Sequence, residues 1–171
     1  MYEPYDLRPW AEFFFTVASA AAALAGLIIV ALSVYGGFIA RSPTHRAHAR
    51  ALLVVLAGAM LTGLIAIAEQ PPTWAGWEFG TVSLGFAAIN TYNNRRTLAQ
   101  MSSIPRDAVI RMGIGYGIAT AGVIGALSIV AAEGAGGGLY WIALEAAAAL
   151  VWAIASAWRF LIGVADEHRD P

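Results

Sequence analysis

Cysteine and lysine are both absent from this chain of 171 residues. Without cysteine there can be no disulfide, thiolate metal site, covalent c-type haem or thiol nucleophile. The missing lysine leaves all ten basic residues as arginine, a bias that reflects a GC-rich genome better than any mechanism. Charge of either sign is scarce, at 12% of residues, where an ordinary soluble domain is about a quarter charged. Long polar segments are lacking as well. The N-terminal decapeptide and the polar stretch around residue 100 are too short to build a core of their own, so no appended soluble domain is expected.

Chemical signatures are equally thin. No glycine loop ends in Gly-Lys-Ser/Thr after a strand, so no nucleotide site is expected, and nucleic acid has nothing to bind. No serine, histidine and acid fall together as in an intramembrane protease. The chain is expected not to be an enzyme and to carry no cofactor and no catalytic or metal centre.

What is present is apolar: 59% of residues are hydrophobic and the mean hydropathy is +0.66. Stretches of helix-spanning length with almost no charge predict an all-α, polytopic transmembrane bundle forming a single domain over residues 1–171. Five spans are expected, at about 10–39, 51–68, 74–92, 105–132 and 139–164. The first follows an acidic segment instead of a basic one and has no convincing cleavage site, so it reads as a retained helix. Between spans one and two, Ala40–Arg50 holds Pro43, three arginines and two histidines and reads as a polar loop. Pro71 and Pro72 stop the second span and make a tight hairpin with the third. Ser103 and Pro105 resemble a helix start. Glu133–Gly138 is turn-like, and the tail from Ala165 is expected to fray.

Under this scheme nine of the ten arginines gather on one side, and only Arg8 lies on the other. Basic residues are retained in the cytoplasm, so the N-terminus is expected outside and the C-terminus inside. Trp10, Trp74, Trp77, Tyr140 and Trp141 then mark the outer interface as an aromatic belt.

Small residues recur at four-residue spacing: Ala18, Ala22 and Gly26; Gly76 and Gly80; Gly113, Gly117, Ala121 and Gly125. Such stripes let helix backbones approach in lipid, within one protomer or between protomers. In the third span, Gly76, Gly80, Ser83, Ala87 and Asn90 share a face that reads as helix contact. In the fifth, Glu145, Ala149, Trp152, Ser156 and Arg159 share another.

The topology also gives each span one glutamate near its outer end: Glu12, Glu69, Glu78, Glu133 and Glu145. Together they are candidate ion- or proton-binding groups lining an outer vestibule. Glu69 and Glu133 also suit plain solvated helix ends, and Glu12 suits the dipole of a helix start. Glu78 and Glu145 equally suit structural hydrogen bonds to a neighbouring helix. Glu145 is the deepest, so it must face the bundle interior or water, find a partner, or carry a proton. His45, His48 and His168 fall in cytoplasmic segments without a third ligand nearby, and anionic lipid headgroups fit that basic face better than a metal.

The first span, "WAEFFFTVASAAAALAGLIIVALSV" from Trp10 to Val34, resembles the opening helix of a group of small bacterial membrane proteins. Some of these are described as modulators of a membrane-bound AAA protease. The resemblance implies a bacterial inner-membrane protein with a regulatory role, and it assigns no functional residue. From the residues themselves the expectation is a homo-oligomeric, multi-pass protein that binds or conducts a cation through acidic groups at its outer side. The alternative is a non-conducting regulatory or scaffold subunit with a membrane-protein partner.

Overall fold

A computed structural model describes residues 8–99, 106–132 and 137–169, and these are helical almost throughout. After a 3-10 turn at Arg8–Trp10 come α1 (Ala11–Val34), α2 (Gly36–Arg41), α3 (Pro43–Ile67), α4 (Pro72–Ala99), α5 (Arg106–Ala132) and α6 (Gly138–Arg169). Among the described residues, four helices are long and apolar enough to cross a membrane: Arg8–Val34, His45–Ile67, Ala108–Ala132 and Gly138–Gly163. The expected third span lies inside α4, which is not among those four. Its 28 residues reach about 42 Å, more than the ~30 Å of a hydrocarbon core, so polarity and not length sets it apart.

Three boundaries differ from expectation. The single span over 10–39 breaks at Tyr35, and α2 restarts on Gly36 and Gly37, residues that weaken a helix because they lose most backbone freedom in it. The expected loop at Ala40–Arg50 is mostly the first turns of α3. Ser42 caps it by accepting a hydrogen bond from the His45 amide at 3.3 Å, and Pro43 occupies the first turn, where its missing N–H costs nothing. The tail is helical as far as Arg169 instead of frayed from Ala165. The helix start expected at Ser103 and Pro105 lies outside the described residues. So does most of the Glu133–Gly138 turn, of which Gly137 is seen with a φ of +72°, a conformation glycine adopts without penalty.

The long helices alternate in direction. At one end, Phe14, Ala66, Ala75, Phe79, Ala126, Ile129, Leu139 and Ile142 form a core cluster, bringing together the start of α1, the α3–α4 turn and the ends of α5 and α6 that face each other. Trp10 and Tyr140 meet edge-on there at 4.7 Å. A second cluster, from Val17 through Leu56 and Ala149 to Phe160, fills the middle and the opposite end. At that opposite end the Phe160 ring meets both His45 and His48, and the charges of Arg111 and Arg159 act on His48. Large apolar side chains such as Leu27, Val30, Leu64, Leu84, Leu127 and Val151 point outward, the arrangement expected when lipid is the solvent.

Close packing rests on glycines, though on fewer of the expected ones than the spacing suggested. A Cβ on Gly63 would lie 2.7 Å from the Phe14 carbonyl oxygen, and one on Gly76 would lie 2.6 Å from the Val130 side chain. The α4 face carrying Gly76, Gly80, Ser83 and Asn90 is a helix contact, as its small and polar residues implied. On α5 the stripe divides. Gly125 packs against Gly138 and Ile142, whereas Gly113 and Gly117 are exposed and have nothing within 4 Å of a Cβ position. The face that meets α4 and α6 is instead the one carrying Gly115, Gly122 and Gly125. Gly117→Leu should therefore leave protomer stability within about 0.5 kcal/mol of wild type. Thermal unfolding in detergent measures this, and a large loss would place an unseen contact on that face.

Candidate functional site

Glu145 sits on the second turn of α6, about 10 Å from the helix start at Gly138. Periodicity sets its direction. Ile142, Ala146, Ala149 and Ala153 lie on the same inward face and are buried, while Leu144, Val151 and Ile154 point out. Glu145 is itself 6% exposed, one of four buried polar residues among those described, with Thr62, Ser83 and Ser156.

Two helices shape its surroundings. Ser83 on α4 donates its hydroxyl to Glu145 Oε1 at 2.7 Å and also lies 3.0 Å from the carbonyl oxygen of Phe79. One hydroxyl hydrogen cannot serve both acceptors fully, so the serine is poised between its own helix and the carboxyl. Gly122 on α5 supplies the space, since a Cβ there would overlap both the Glu145 carboxyl and the Ser83 oxygen. The second carboxyl oxygen, Oε2, is buried without a hydrogen-bond partner. Glu145 also lines a cavity of about 20 Å³, together with Thr62, Val55, Val82, Phe86 and Ile118 among others. That exceeds the ~10–15 Å³ needed to hold one water molecule.

The structural role foreseen for Glu145, a hydrogen bond to a neighbouring helix, is thus half filled: one oxygen has it and the other is buried without one, in a residue that also lines a cavity. Leaving a polar group buried and unpaired costs on the order of 1–3 kcal/mol, more for a charge, which sets Glu145 apart from an ordinary packing residue. The other expected acidic residues do not join it. Glu12, Glu69 and Glu78 lie at the same end of the bundle but are exposed, and Glu78 accepts a 2.8 Å hydrogen bond from Gln70. Glu133 lies outside the described residues.

Along α6 the expected polar face is real but divided. Ala149 lines the cavity, while Arg159 lies over the Trp152 ring at 5.4 Å and reaches Ser156 at 3.5 Å, forming a separate group near the opposite end. His45 and His48 share a helical turn, yet no group of three His, Asp or Glu that could hold a metal occurs among the described residues.

Thr62 and Gly122 escaped the sequence reading. Thr62 is the only residue with a side-chain oxygen between Ser42 and Glu69 whose side chain is described, which is a weak signal. Gly122 was hidden because Gly115, Ala119, Gly122 and Ala126 are spaced by four, three and four, off the uniform four-residue spacing of Gly113, Gly117, Ala121 and Gly125. Comparison with protein-family models, with curated proteins and with solved structures finds no match for this chain.

Proposed function

We propose that this is a five-span protein of a bacterial inner membrane that binds a cation at Glu145 and carries it across the bilayer as a homo-oligomer. The observation that carries the reading is the buried, unpartnered Oε2 of Glu145, a residue that lines a cavity, because a carboxyl kept in that state inside an apolar bundle fits a site that takes up positive charge. Glu12, Glu69 and Glu78, exposed at the nearer end, would raise the local concentration of cations there.

The fifth span is argued from register. Gly76 lies against Val130, Gly80 against Ala126, Asn90 against Gly115 and Thr91 against Tyr116, so α4 runs antiparallel to α5 at constant offset over about 22 Å. A helix so paired with a spanning helix occupies the same depth. Its polar groups turn inward at Ser83 and Asn90, which lets a less apolar helix sit in lipid.

Arginine placement supports an outer N-terminus and an inner C-terminus, and it offers anionic lipids a basic cytoplasmic face. The absence of cysteine makes orientation simple to map. Thr73→Cys, in the first turn of α4, should react with a membrane-impermeant maleimide on intact cells, and Arg41→Cys should react only after lysis. Labelling of both from the same side would reject the five-span scheme.

The functional test is cation flux in proteoliposomes, expected for wild type and reduced at least tenfold in Glu145→Gln. Equal flux in the two proteins would remove Glu145 from the path. The second reading, a non-conducting regulatory or scaffold subunit, is favoured by the open Gly113–Gly117 surface, which would suit another membrane helix. Absence of flux in wild type would leave that reading ahead.

A further inference from the structure

We propose that the cation taken at Glu145 is the proton, held at Oε2 together with one water molecule that Thr62 helps to bind, and that the site rejects metal ions. This rests on the reading of Glu145 as a cation site and specifies what it accepts.

The donor set decides between proton and metal. Hard cations need a shell of oxygens, six for magnesium and six to eight for calcium. Glu145 and Thr62 are the two side chains around the cavity that carry oxygen, and Val55, Val82, Phe86 and Ile118 present only carbon. Backbone carbonyls cannot make up the deficit, because every lining residue lies within α3, α4, α5 or α6, where helix hydrogen bonds engage them. Size allows one water molecule, at about 20 Å³. A proton needs one basic atom and a neighbouring donor or acceptor, which Oε2 and a bound water provide.

Electrostatics points the same way. Among the described residues, no ionisable side chain other than Glu145 lines the cavity from any helix packed around it. From α4 and α5 the nearest polar neighbours are Ser83 and the bare backbone of Gly122. The one ionisable group on α1 is Glu12, exposed at its end. With no arginine or histidine to balance it, the carboxyl is neutralised by taking a proton: Glu–COO⁻ and H⁺ give Glu–COOH, the new O–H forming on Oε2. Ser83 accommodates both states. Its hydrogen goes to Oε1 when the carboxylate is charged and can return to the Phe79 carbonyl when it is not, so it acts as a positioning residue.

The test is infrared spectroscopy of the intact, reconstituted protein, reading the carbonyl stretch of a protonated carboxyl as pH is varied. One band should titrate, be missing from Glu145→Gln, and change frequency in Thr62→Val, which removes a hydroxyl at nearly constant shape. Its midpoint should not move when sodium, potassium or magnesium chloride replaces choline chloride. A midpoint displaced by about one unit for each tenfold rise in a metal ion would mean competition at the site and overturn proton selectivity, leaving the cation reading intact. A titrating band identical in Thr62→Val would exclude the threonine. Absence of any band lost in Glu145→Gln, with no response to metal ions, would overturn both readings. If Glu145→Gln fails to fold, the metal-ion series on wild type and the Thr62→Val shift still decide the matter.

Discussion

Gly122→Val is expected to prevent the bundle from assembling. A Cβ at this position overlaps the carboxyl of Glu145 and the hydroxyl of Ser83, and valine adds two methyl groups on a helix wedged between α4 and α6. Overpacking alone costs on the order of 1–3 kcal/mol. Separating Ser83 from Glu145 would further strip a buried carboxyl of its one hydrogen bond, at roughly 1–3 kcal/mol more. Together these approach the ~5–15 kcal/mol that stabilises a typical folded protein. The measurement is thermal unfolding and chromatographic homogeneity in detergent, with Gly117→Leu alongside. Both substitutions enlarge a glycine on α5, so a large loss in the first and none in the second isolates the Gly122 contact from any general effect on the helix. Comparable behaviour of the two would mean that α5 is rotated from the packing described.

Glu145→Leu should separate function from stability. Leucine nearly preserves volume and removes the one ionisable group at the cavity. Replacing a buried, incompletely paired polar group by a well-packed apolar residue of similar size removes its desolvation cost and is nearly neutral or stabilising. The protein should therefore unfold at the same temperature as wild type or higher, while transport falls to the level of empty liposomes. A carboxyl kept for packing predicts the reverse: the unfolding temperature drops, because Ser83 loses its partner on α6, and any activity falls only in proportion to folded protein. Flux and unfolding measured on one preparation distinguish the two. A stable Glu145→Leu protein with full transport would eliminate the site.

Not all parts of the molecule were equally legible. The α3–α4 turn was readable at Pro71 and Pro72 because backbone chemistry there is local: proline lacks a donor, and it disfavours helix in the residue before it. The start of α3 was also local in principle, since Ser42, Pro43 and the His45 amide make an ordinary cap, but the surrounding arginines and histidines made it read as loop. The depth of Glu145 followed from rise per residue alone. Its isolation from the other glutamates did not, because the direction a side chain faces depends on which side of its helix is covered.

The small-residue stripes show the same limit from another side. On α5, two stripes of nearly equal regularity run along different faces, and periodicity cannot choose between them. Packing against Asn90 and Glu145 selects the one through Gly115 and Gly122, while of the other only Gly125 is packed, against Ile142, and Gly113 and Gly117 are open.

The sequence by itself determined that this chain is helical and apolar enough to lie in a membrane, how its charges divide between two ends, and that a carboxyl falls one to two turns inside its last long helix. Those properties follow from composition and from the geometry of single helices, which need no knowledge of neighbours. Tertiary structure alone decided that this carboxyl has one oxygen on Ser83 and the other buried without a partner, in a residue that shares a cavity with Thr62 and occupies space left by a missing Cβ on Gly122. These four residues come from four helices and stand up to 83 positions apart, from Thr62 to Glu145. Only the rotation of each helix about its own axis, fixed by packing, brings them together.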